Sequence, residues 1–222
     1  MIKAIIFDLD GVLVDSVGLH YEAWRIVLAR YGIRLSQREF NRLNGYSVEE
    51  TALIRKKQFK LKVPVVDIIR QKKTLNMTLL RKARLFTGAR PKLKEISKSY
   101  ILGLATSSNR ADAFLLIRRF MLDKFFSTVV VDEDVERAKP VPDIFLECAR
   151  RLKVAPNECV VIEDSKKGIE AAKKAGMKCI AIASTFKKAE LSKADVVIPD
   201  IRKLTKKIIS RLEGKNGPRK NI

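Results

Sequence analysis

The chain has 222 residues, 46% of them hydrophobic, and carries 46 Lys and Arg against 25 Asp and Glu, which gives a net charge of +21. Its length suits one large domain, or a core domain with a smaller inserted one. No apolar run approaches the roughly 20 residues that a membrane span needs, and no cleavable apolar stretch precedes the first strand-like run, so we expect a cytoplasmic protein with no membrane partner.

The first predicted element is a short buried strand. Residues 5–7 form a continuous apolar run, which is typical of a central parallel strand that is buried on both faces. Asp8 and Asp10 follow directly, and Gly11 comes after them. The strand therefore ends in two carboxylates at a position where parallel sheets bind ligands.

The next stretch, residues 15–82, contains only helical patterns. It carries 15 Lys and Arg against 6 Asp and Glu, a net charge of +9. Helix starts and a helix stop can be read from amphipathic spacing, capping boxes, a proline and a glycine. The starts fall at Val17, Ser36, Ser47 and Pro64, and the first helix is predicted to run to Tyr31 before Gly32. We predict a helical cap domain over 15–82.

Strand-like and helix-like segments alternate in the rest of the chain. The apolar runs are 100–105, 128–131, 159–162, 179–183 and 196–198, and the helical patterns between them include 111–119, 144–152 and 168–175. Such alternation implies right-handed crossovers and a doubly wound parallel α/β sheet. We assign residues 1–14 and 83–222 to this core domain and expect a frayed polar tail from Glu213.

Acidic side chains follow two of the predicted strands. Glu163 and Asp164 come after the fourth run, as Asp8 and Asp10 come after the first. Carboxylates brought together at one sheet edge would repel each other without a cation, and their oxygens suit Mg²⁺. One Asp of the first pair can act as nucleophile while the other moves protons. Taken separately, the pairs could equally be an Asx-type turn and a helix cap.

Two further strand ends supply groups that bind anions. Thr106 and Ser107 follow the second run, where a hydroxyl and backbone N–H groups at the start of a helix form an anion site. Lys139 follows the third run and can neutralise both a phosphate and a nucleophile. Each of these is unremarkable alone, as a cap and a surface lysine, but together they complete a set of groups for phosphoryl transfer.

Four segments in order resemble the motifs of the haloacid dehalogenase (HAD) superfamily. They are 7–16, 106–108, 139–145 and 161–169, and the resemblance spans nearly the whole chain. It implies a Rossmann-like core with a cap of the C1 type and a magnesium-dependent phosphatase that forms an aspartyl-phosphate. The expected substrate is a small phosphorylated metabolite.

The same resemblance implies a role for each motif residue. Asp8 would attack phosphorus, and Asp10 would protonate the leaving oxygen and then activate water. Mg²⁺ would be held by Asp8, the backbone carbonyl of Asp10 and Asp164, with Glu163 in support. The groups that would grip the phosphate are Thr106, Ser107 and Lys139.

The cap is similar to that of the beta-phosphoglucomutase-like branch of the superfamily. The match lies in 20–24 and 43–47, which makes His20 and Gly45 candidate substrate-site residues. His20 is the only histidine, and it is either a structural residue or a site residue that gates Asp10.

One cap position departs from that branch. The mutase carries an Arg after the Ser of its cap loop, where this chain has Val48. A phosphatase is therefore favoured, and a phosphosugar mutase is the alternative. The basic residues that could replace the Arg are Lys73, Arg55 and Lys56, and Lys73 also aligns with a cap lysine of the mutase branch.

A dehalogenase and a nucleic-acid binder fit the residues less well. A dehalogenase of the same fold needs neither Mg²⁺ nor the second acid of the first motif, so Asp10 and Asp164 argue against it. A nucleic-acid binder would suit the charge of +21, but the basic residues are spread along the chain and no recognition motif is present. We expect no nucleic-acid partner and favour a monomer.

Overall fold

The computed structural model describes residues 1–213 as an α/β core that carries a helical cap. The strands are β1 (Ala4–Phe7), β2 (Val14–Asp15), β3 (Arg84–Leu85), β4 (Ile101–Ala105), β5 (Thr128–Val130), β6 (Cys159–Glu163), β7 (Lys178–Ile182) and β8 (Val196–Ile198). The helices are α1 (Val17–Ala29), α2 (Gln37–Arg42), α3 (Val48–Gln58), α4 (Val65–Leu79), α5 (Ala89–Ile96), α6 (Arg110–Arg119), α7 (Asp143–Leu152), α8 (Lys166–Lys174) and α9 (Lys206–Glu213).

Six strands form one parallel sheet in the order β5-β4-β1-β6-β7-β8. All six predicted strands are present, and the predicted doubly wound α/β class with a helical cap is confirmed. In the register of the sheet, Phe7 at the end of β1 lies opposite Leu104 on one side and Ile162 on the other. The residues that follow these three strands therefore meet at one edge of the sheet.

The central strand β1 is buried on both faces, as its continuous apolar run predicts. Ile5 and Phe7 pack into one apolar cluster, and Ala4 and Ile6 pack into a second cluster on the opposite face. All four residues are fully buried. Helices on both faces of the sheet therefore fix the position of the strand that carries Asp8.

The helices α1 to α4 form a separate layer with its own apolar cluster. That cluster includes Trp24, Leu28, Phe40 and Ile68. The chain leaves the core through β2 and returns through β3, which pair as a short antiparallel ribbon. All four helices thus lie within the predicted cap, although the exact domain boundaries stay a prediction.

The predicted helix starts are accurate, while some ends shift. Ser36 forms the predicted capping box with Glu39, and Ser47 accepts a hydrogen bond from the N–H of Glu50. The first helix ends at Ala29, two residues before its predicted end.

The predicted tail is wrong at its first residue. Glu213 is the last residue of α9 and accepts a hydrogen bond from the N–H of Ile2 at 2.8 Å. The rest of the predicted tail, 214–222, lies outside the described residues. No helix within residues 1–213 is long and apolar enough to cross a membrane.

Candidate active site

A cavity between the sheet edge and the cap collects the predicted site residues. From the core it is lined by Asp8, Asp10, Thr106, Ser107, Lys139, Glu163 and Asp164, and from the cap by residues that include His20 and Gly45. All nine of these residues, which the motifs named for the catalytic, substrate and metal sites, therefore line this one cavity. The convergence follows from the parallel sheet, because the carboxyl ends of β1, β4 and β6 share an edge.

Lys139 bridges the acid that follows β1 and the acid that ends β6. Its side chain is 1% exposed, and its Nζ donates to Oδ1 of Asp8 at 2.6 Å and to Oε1 of Glu163 at 2.8 Å. Burial alone would lower the pKa of Lys139, but the two carboxylates raise it above its usual value. The lysine therefore stays protonated and holds Asp8 in place.

Three buried carboxylates cluster around this lysine. One oxygen each from Asp8, Glu163 and Asp164 lies within 4.8 Å of the others. Burial raises the pKa of Asp8 to about 8 although Lys139 opposes the shift, and Glu163 raises it further. Burial, followed by Glu163 and Asp8, raises the pKa of Asp164 well above its usual value. One lysine does not balance three acids, so this donor set fits a divalent cation such as Mg²⁺.

The hydrogen bonds of Glu163 indicate which acids remain free to bind a metal. Its Oε1 accepts from Lys139, and its Oε2 accepts the N–H groups of Asp164 and Ser165 at 2.7 and 2.6 Å. Both oxygens are thus engaged, which fits the supporting role predicted for Glu163. Asp8 accepts from Lys139 through Oδ1, and Asp164 accepts from Thr185 through Oδ2, so each has a second carboxylate oxygen without a hydrogen-bond partner in residues 1–213.

Gly11 leaves room for the carboxylate of Asp164. Its φ is +78°, and a Cβ built on it would lie 2.0 Å from Oδ2 of Asp164. A side chain at this position would be strained and would also displace the carboxylate. This explains why glycine follows the two acids of the first motif.

Asp10 makes a different set of contacts. Its Oδ2 accepts from the Oγ of Ser108 at 2.6 Å, and its Oδ1 contacts the Oγ of Ser16 and lies 3.1 Å from Nε2 of His20. Burial alone would raise the pKa of Asp10, but the charge and hydrogen bond of His20, with the two serine hydroxyls, hold it well below its usual range. Its side chain is thus engaged by these groups, and only its backbone carbonyl is left for the predicted metal role.

His20 begins a buried polar network that reaches into the core. Its Nδ1 lies 3.2 Å from Nδ2 of Asn76 and 3.4 Å from Nζ of Lys72. Lys72 donates to Asn76 at 2.6 Å, and Asn76 donates to Asp112 at 2.6 Å. Burial lowers the pKa of Lys72 to about 7. The structure therefore places His20 at the site, in contact with Asp10.

The hydroxyls of Thr106 and Ser107 face different partners, Thr106 towards Asp10 in the core and Ser107 towards the cap loop. The Oγ1 of Thr106 accepts the N–H of Ser108 at 3.1 Å and lies 3.5 Å from Oδ2 of Asp10. The Oγ of Ser107 donates to the backbone carbonyl of Gly45 at 3.0 Å. Gly45 has a φ of +96°, and a Cβ there would lie 2.9 Å from the Oγ of Ser165. The cap loop thus rests directly on the core, and the cap is closed.

The basic residues that could replace the missing mutase Arg differ in position. Lys73 pairs with Glu49 at 2.6 Å, and Lys56 donates to the carbonyl of Val63 at 2.6 Å. Among the three candidates, all of them within the described chain, Arg55 alone lines the cavity.

The lysine of α4 that lines the cavity is Lys72, the neighbour of Lys73. The alignment of Lys73 with a cap lysine of the mutase branch stays a prediction. Helical spacing carried a signal for the position of Lys72, since Ile68, Lys72 and Asn76 share the buried face at four-residue intervals. The sequence reasoning also did not identify Asp112.

The parallel sheet, the cap and the acids at the strand ends define a capped Rossmann-like enzyme. The sequence profile of the haloacid dehalogenase-like hydrolases matches residues 5–182, and the chain belongs to this family. It is 36% identical over 183 residues to a phosphorylated carbohydrates phosphatase of Thermotoga maritima, and the match covers 80% of this chain and 83% of that protein.

A second relative has a different activity. The beta-phosphoglucomutase of Bacillus subtilis is 31% identical over 216 residues, 93% of each chain. The crystal structure of beta-phosphoglucomutase from Clostridium difficile, 27% identical, has a TM-score of 0.85 and covers 96% of this chain and 97% of that chain. The predicted resemblance is therefore confirmed, and the predicted enzyme class, a HAD-family phosphomonoester hydrolase, agrees with the family and with the phosphatase relative.

Proposed function

We propose that this chain is a magnesium-dependent phosphatase of small phosphorylated metabolites, sugar phosphates above all, which works through an aspartyl-phosphate on Asp8. The observation that carries the proposal is the placement of Asp8. It is buried at the end of β1, held by Lys139 at 2.6 Å, and shares one cavity with Asp10. A fixed carboxylate beside a cation and a second carboxylate is the arrangement that nucleophilic phosphoryl transfer needs.

In the first step, an oxygen of Asp8 would attack phosphorus while the bond from phosphorus to the leaving oxygen breaks. Lys139 holds Asp8 in position and balances charge on the phosphoryl oxygens. Thr106 and Ser107 line the same cavity and would bind the same oxygens. Mg²⁺, held by Asp8, the Asp10 carbonyl and Asp164, would supply further positive charge against the phosphate.

Asp10 would give a proton to the leaving oxygen in this step and take one from water in the next. Water would then attack phosphorus, which releases phosphate and restores the Asp8 carboxylate. The hydrogen bonds to Asp10 favour its ionised form, which is the form that serves as base. For the first step Asp10 must be protonated, and His20 at 3.1 Å is the neighbouring group positioned to supply that proton.

The cap supports selectivity for small substrates. Its loop contacts the core through Gly45 and Ser107, so the cavity is covered and bulk water is excluded during the reaction. The positive balance of residues 15–82, +9, favours anionic substrates. A cytoplasmic location, a monomeric state and the domain boundaries stay predictions.

A phosphosugar mutase is the second candidate, because Arg55 lines the cavity and one relative is a mutase. Val48 opposes it, since it offers neither charge nor a hydrogen-bond donor at the cap loop. An assay of beta-glucose 1-phosphate with a bisphosphate activator would follow glucose 6-phosphate and free phosphate together. Isomer formation that outruns phosphate release would favour the mutase.

The phosphatase proposal is tested by measuring phosphate release from a panel of phosphorylated metabolites with Mg²⁺ present. We expect at least one sugar phosphate to be hydrolysed by the wild type and none by Asp8→Asn. The matched variant keeps the size of the side chain and removes the nucleophilic oxygen. Turnover by Asp8→Asn within about tenfold of wild type, which corresponds to a barrier difference of only about 1.4 kcal/mol, would exclude Asp8 as nucleophile.

A further inference from the structure

Arg55 is a buried cation without a hydrogen-bond partner. Its side chain is 0% exposed, and Nε, Nη1 and Nη2 have no partner among residues 1–213. All of its hydrogen-bonding nitrogens are therefore unsatisfied, while the side chain lines the cavity that holds Asp8 and Lys139. An uncompensated buried charge is strongly unfavourable, so this position favours an anion that arrives from the cavity.

The surroundings of Arg55 offer it no such anion within the described chain. Its guanidinium lies 5.4 Å from the centre of the Trp24 ring. The negative charge of Glu39 raises the pKa of Arg55, but Glu39 makes no hydrogen bond to it. The Glu39 carboxylate instead accepts hydrogen bonds from the backbone N–H and hydroxyl of Ser36 at 2.9 and 2.6 Å. Burial lowers the pKa of Arg55 only to about 10, so the group is charged at neutral pH.

Lys72 provides an internal comparison. It is equally buried, lies 5.5 Å from the same Trp24 ring and lines the same cavity. Its Nζ, however, donates to Asn76 at 2.6 Å, and Asp112 and Asp10 act on its charge. Residues of the cap and the core thus compensate Lys72 and leave Arg55 available.

The position of Arg55 on α3 places it at the cap side of the cavity. Val48, Thr51 and Arg55 follow one another at helical spacing and all three line the cavity. Arg55 therefore lies two turns beyond the position at which the mutase branch carries its Arg, and against Trp24. The two ends of the cavity then differ in chemistry, with the acids and Lys139 on the core side and a free guanidinium on the cap side.

We propose that Arg55 determines substrate specificity by binding a second anionic group of the substrate, at the end away from the phosphate that is removed. The inference rests on the proposed phosphatase function for the first phosphate. A planar guanidinium donates two parallel hydrogen bonds to either a carboxylate or a phosphate. The substrates assigned in this way are phosphorylated acids or bisphosphates, and a phosphate ester with a neutral far end is a poorer substrate.

Matched substrate pairs test this assignment. The neutral members are 2-hydroxyethyl phosphate, glycerol 1-phosphate and fructose 1-phosphate, and their doubly anionic partners are 2-phosphoglycolate, 3-phosphoglycerate and fructose 1,6-bisphosphate. The first two pairs test a carboxylate and the third tests a phosphate. Phosphate release is measured with Mg²⁺ for the wild type, Arg55→Gln and Arg55→Lys.

We expect the wild type to prefer the anionic member of at least one pair. For that pair, Arg55→Gln should lower kcat/KM by about ten- to a hundredfold, with a change of less than about threefold for the neutral member. Arg55→Lys keeps the charge without the planar fork and should fall between the two. Equal values within every pair for the wild type, or an equal loss for both members in Arg55→Gln, would overturn the assignment.

A binding measurement separates this inference from the proposed function. In an Asp8→Asn background, the Kd of 3-phosphoglycerate and of fructose 1,6-bisphosphate is measured with Arg55 intact and with Arg55→Gln. If the wild type hydrolyses no phosphate ester, the phosphatase proposal fails, while a Kd raised about tenfold or more for either ligand still supports Arg55. An unchanged Kd for both ligands contradicts the assignment whatever the activity. Thermal unfolding establishes that each variant is folded. If Arg55→Gln does not fold, the same Kd measurements are made with Arg55→Lys.

Discussion

The Nε2 of His20 lies 3.1 Å from Oδ1 of Asp10, so a side chain of the first cap helix contacts the acid that follows the central strand. The contact joins the predicted cap to the predicted catalytic acid. With the cap in place, the charge and hydrogen bond of His20 help to hold the pKa of Asp10 well below its usual range. On the other side of the imidazole, Nδ1 of His20 contacts Asn76, which donates a hydrogen bond to Asp112. Neither Asn76 nor Asp112 lines the cavity.

Replacing His20 should change the pH dependence of the reaction. In His20→Gln, Asp10 loses a positive neighbour, so its pKa should rise. Because the first step needs protonated Asp10, the alkaline limb of kcat/KM against pH should therefore move to higher pH, and kcat should fall by about ten- to a hundredfold, as expected for a lost proton-transfer partner. The measurement is the pH profile of phosphate release with a saturating Mg²⁺ concentration.

The control for this experiment is Asn76→Ser, which removes the amide on the far side of the imidazole, adds no charge and leaves the contacts of Asp10 in place. A profile of His20→Gln that overlays the wild type would show that His20 has only a structural role.

Lys139 should contribute to stability and to activity. Lys139→Met leaves Asp8 and Glu163 buried without their cation, and breaking such a pair lowers the free energy of unfolding by about 3–5 kcal/mol. Because Mg²⁺ replaces part of the lost charge, the loss should be smaller with Mg²⁺ than with EDTA. Chemical denaturation under both conditions measures it.

Lys139→Arg keeps the charge and is the matched variant for Lys139→Met. Its stability should lie much closer to wild type, although the larger group will disturb the geometry at Asp8. Equal stability of Lys139→Met and the wild type in EDTA would contradict the bridging role.

The sequence predicted the core half of the site and much less of the cap half. The core residues could be located because the carboxyl ends of parallel strands meet at one edge, whichever helices surround them. Asp8, Lys139 and Asp164 needed only the strand assignments. Lys72 and Arg55 could not be located in this way, because their surroundings depend on how α3 and α4 pack against α1 and the core. That packing is set by side chains distant in sequence, such as Trp24.

Metal removal should reverse the order of stability of the wild type and Asp164→Asn. Burial, Glu163 and Asp8 raise the pKa of Asp164. A raised pKa means that the stability contribution of this group is present at low pH and is lost as pH rises through the folded-state value. Without metal at neutral pH, Asp164→Asn should therefore be more stable than the wild type. With Mg²⁺ the order should reverse, since the wild type gains binding energy that the variant lacks.

Thermal unfolding of both proteins in EDTA and in a Mg²⁺ titration measures this reversal. Activity should follow the same titration, absent in EDTA and restored by Mg²⁺. Full hydrolysis of the best substrate in EDTA would exclude the metal-dependent mechanism.

Asp132 should make stability dependent on pH at the boundary between cap and core. It follows β5, and burial raises its pKa to about 7, with Glu49, Glu133 and Glu50 adding to the shift. Its contribution to stability is therefore fully present below the unfolded value of about 3.9 and is lost as pH rises through 7. Because the group is partly exposed, we expect Asp132→Asn to add about 1–2 kcal/mol at pH 8.

At pH 4 the same substitution should have almost no effect, because Asp132 is then largely protonated in the folded protein. Glu136→Gln, at an exposed acid four residues further along the chain, is a suitable control. A stabilisation by Asp132→Asn that is equal at pH 4 and pH 8 would show that the charge of Asp132 is not its cause.

The central claim is that Asp8 becomes phosphorylated during turnover. The direct measurement is a rapid acid quench of the enzyme with its best substrate and Mg²⁺, followed by mass analysis of the peptide that contains residue 8. We expect a mass gain of one phosphoryl group on Asp8 during turnover, with no gain in Asp8→Asn and loss of the group on treatment with hydroxylamine. Complete turnover with no phosphorylated Asp8 peptide at any time point, or phosphorylation of a different residue, would contradict it.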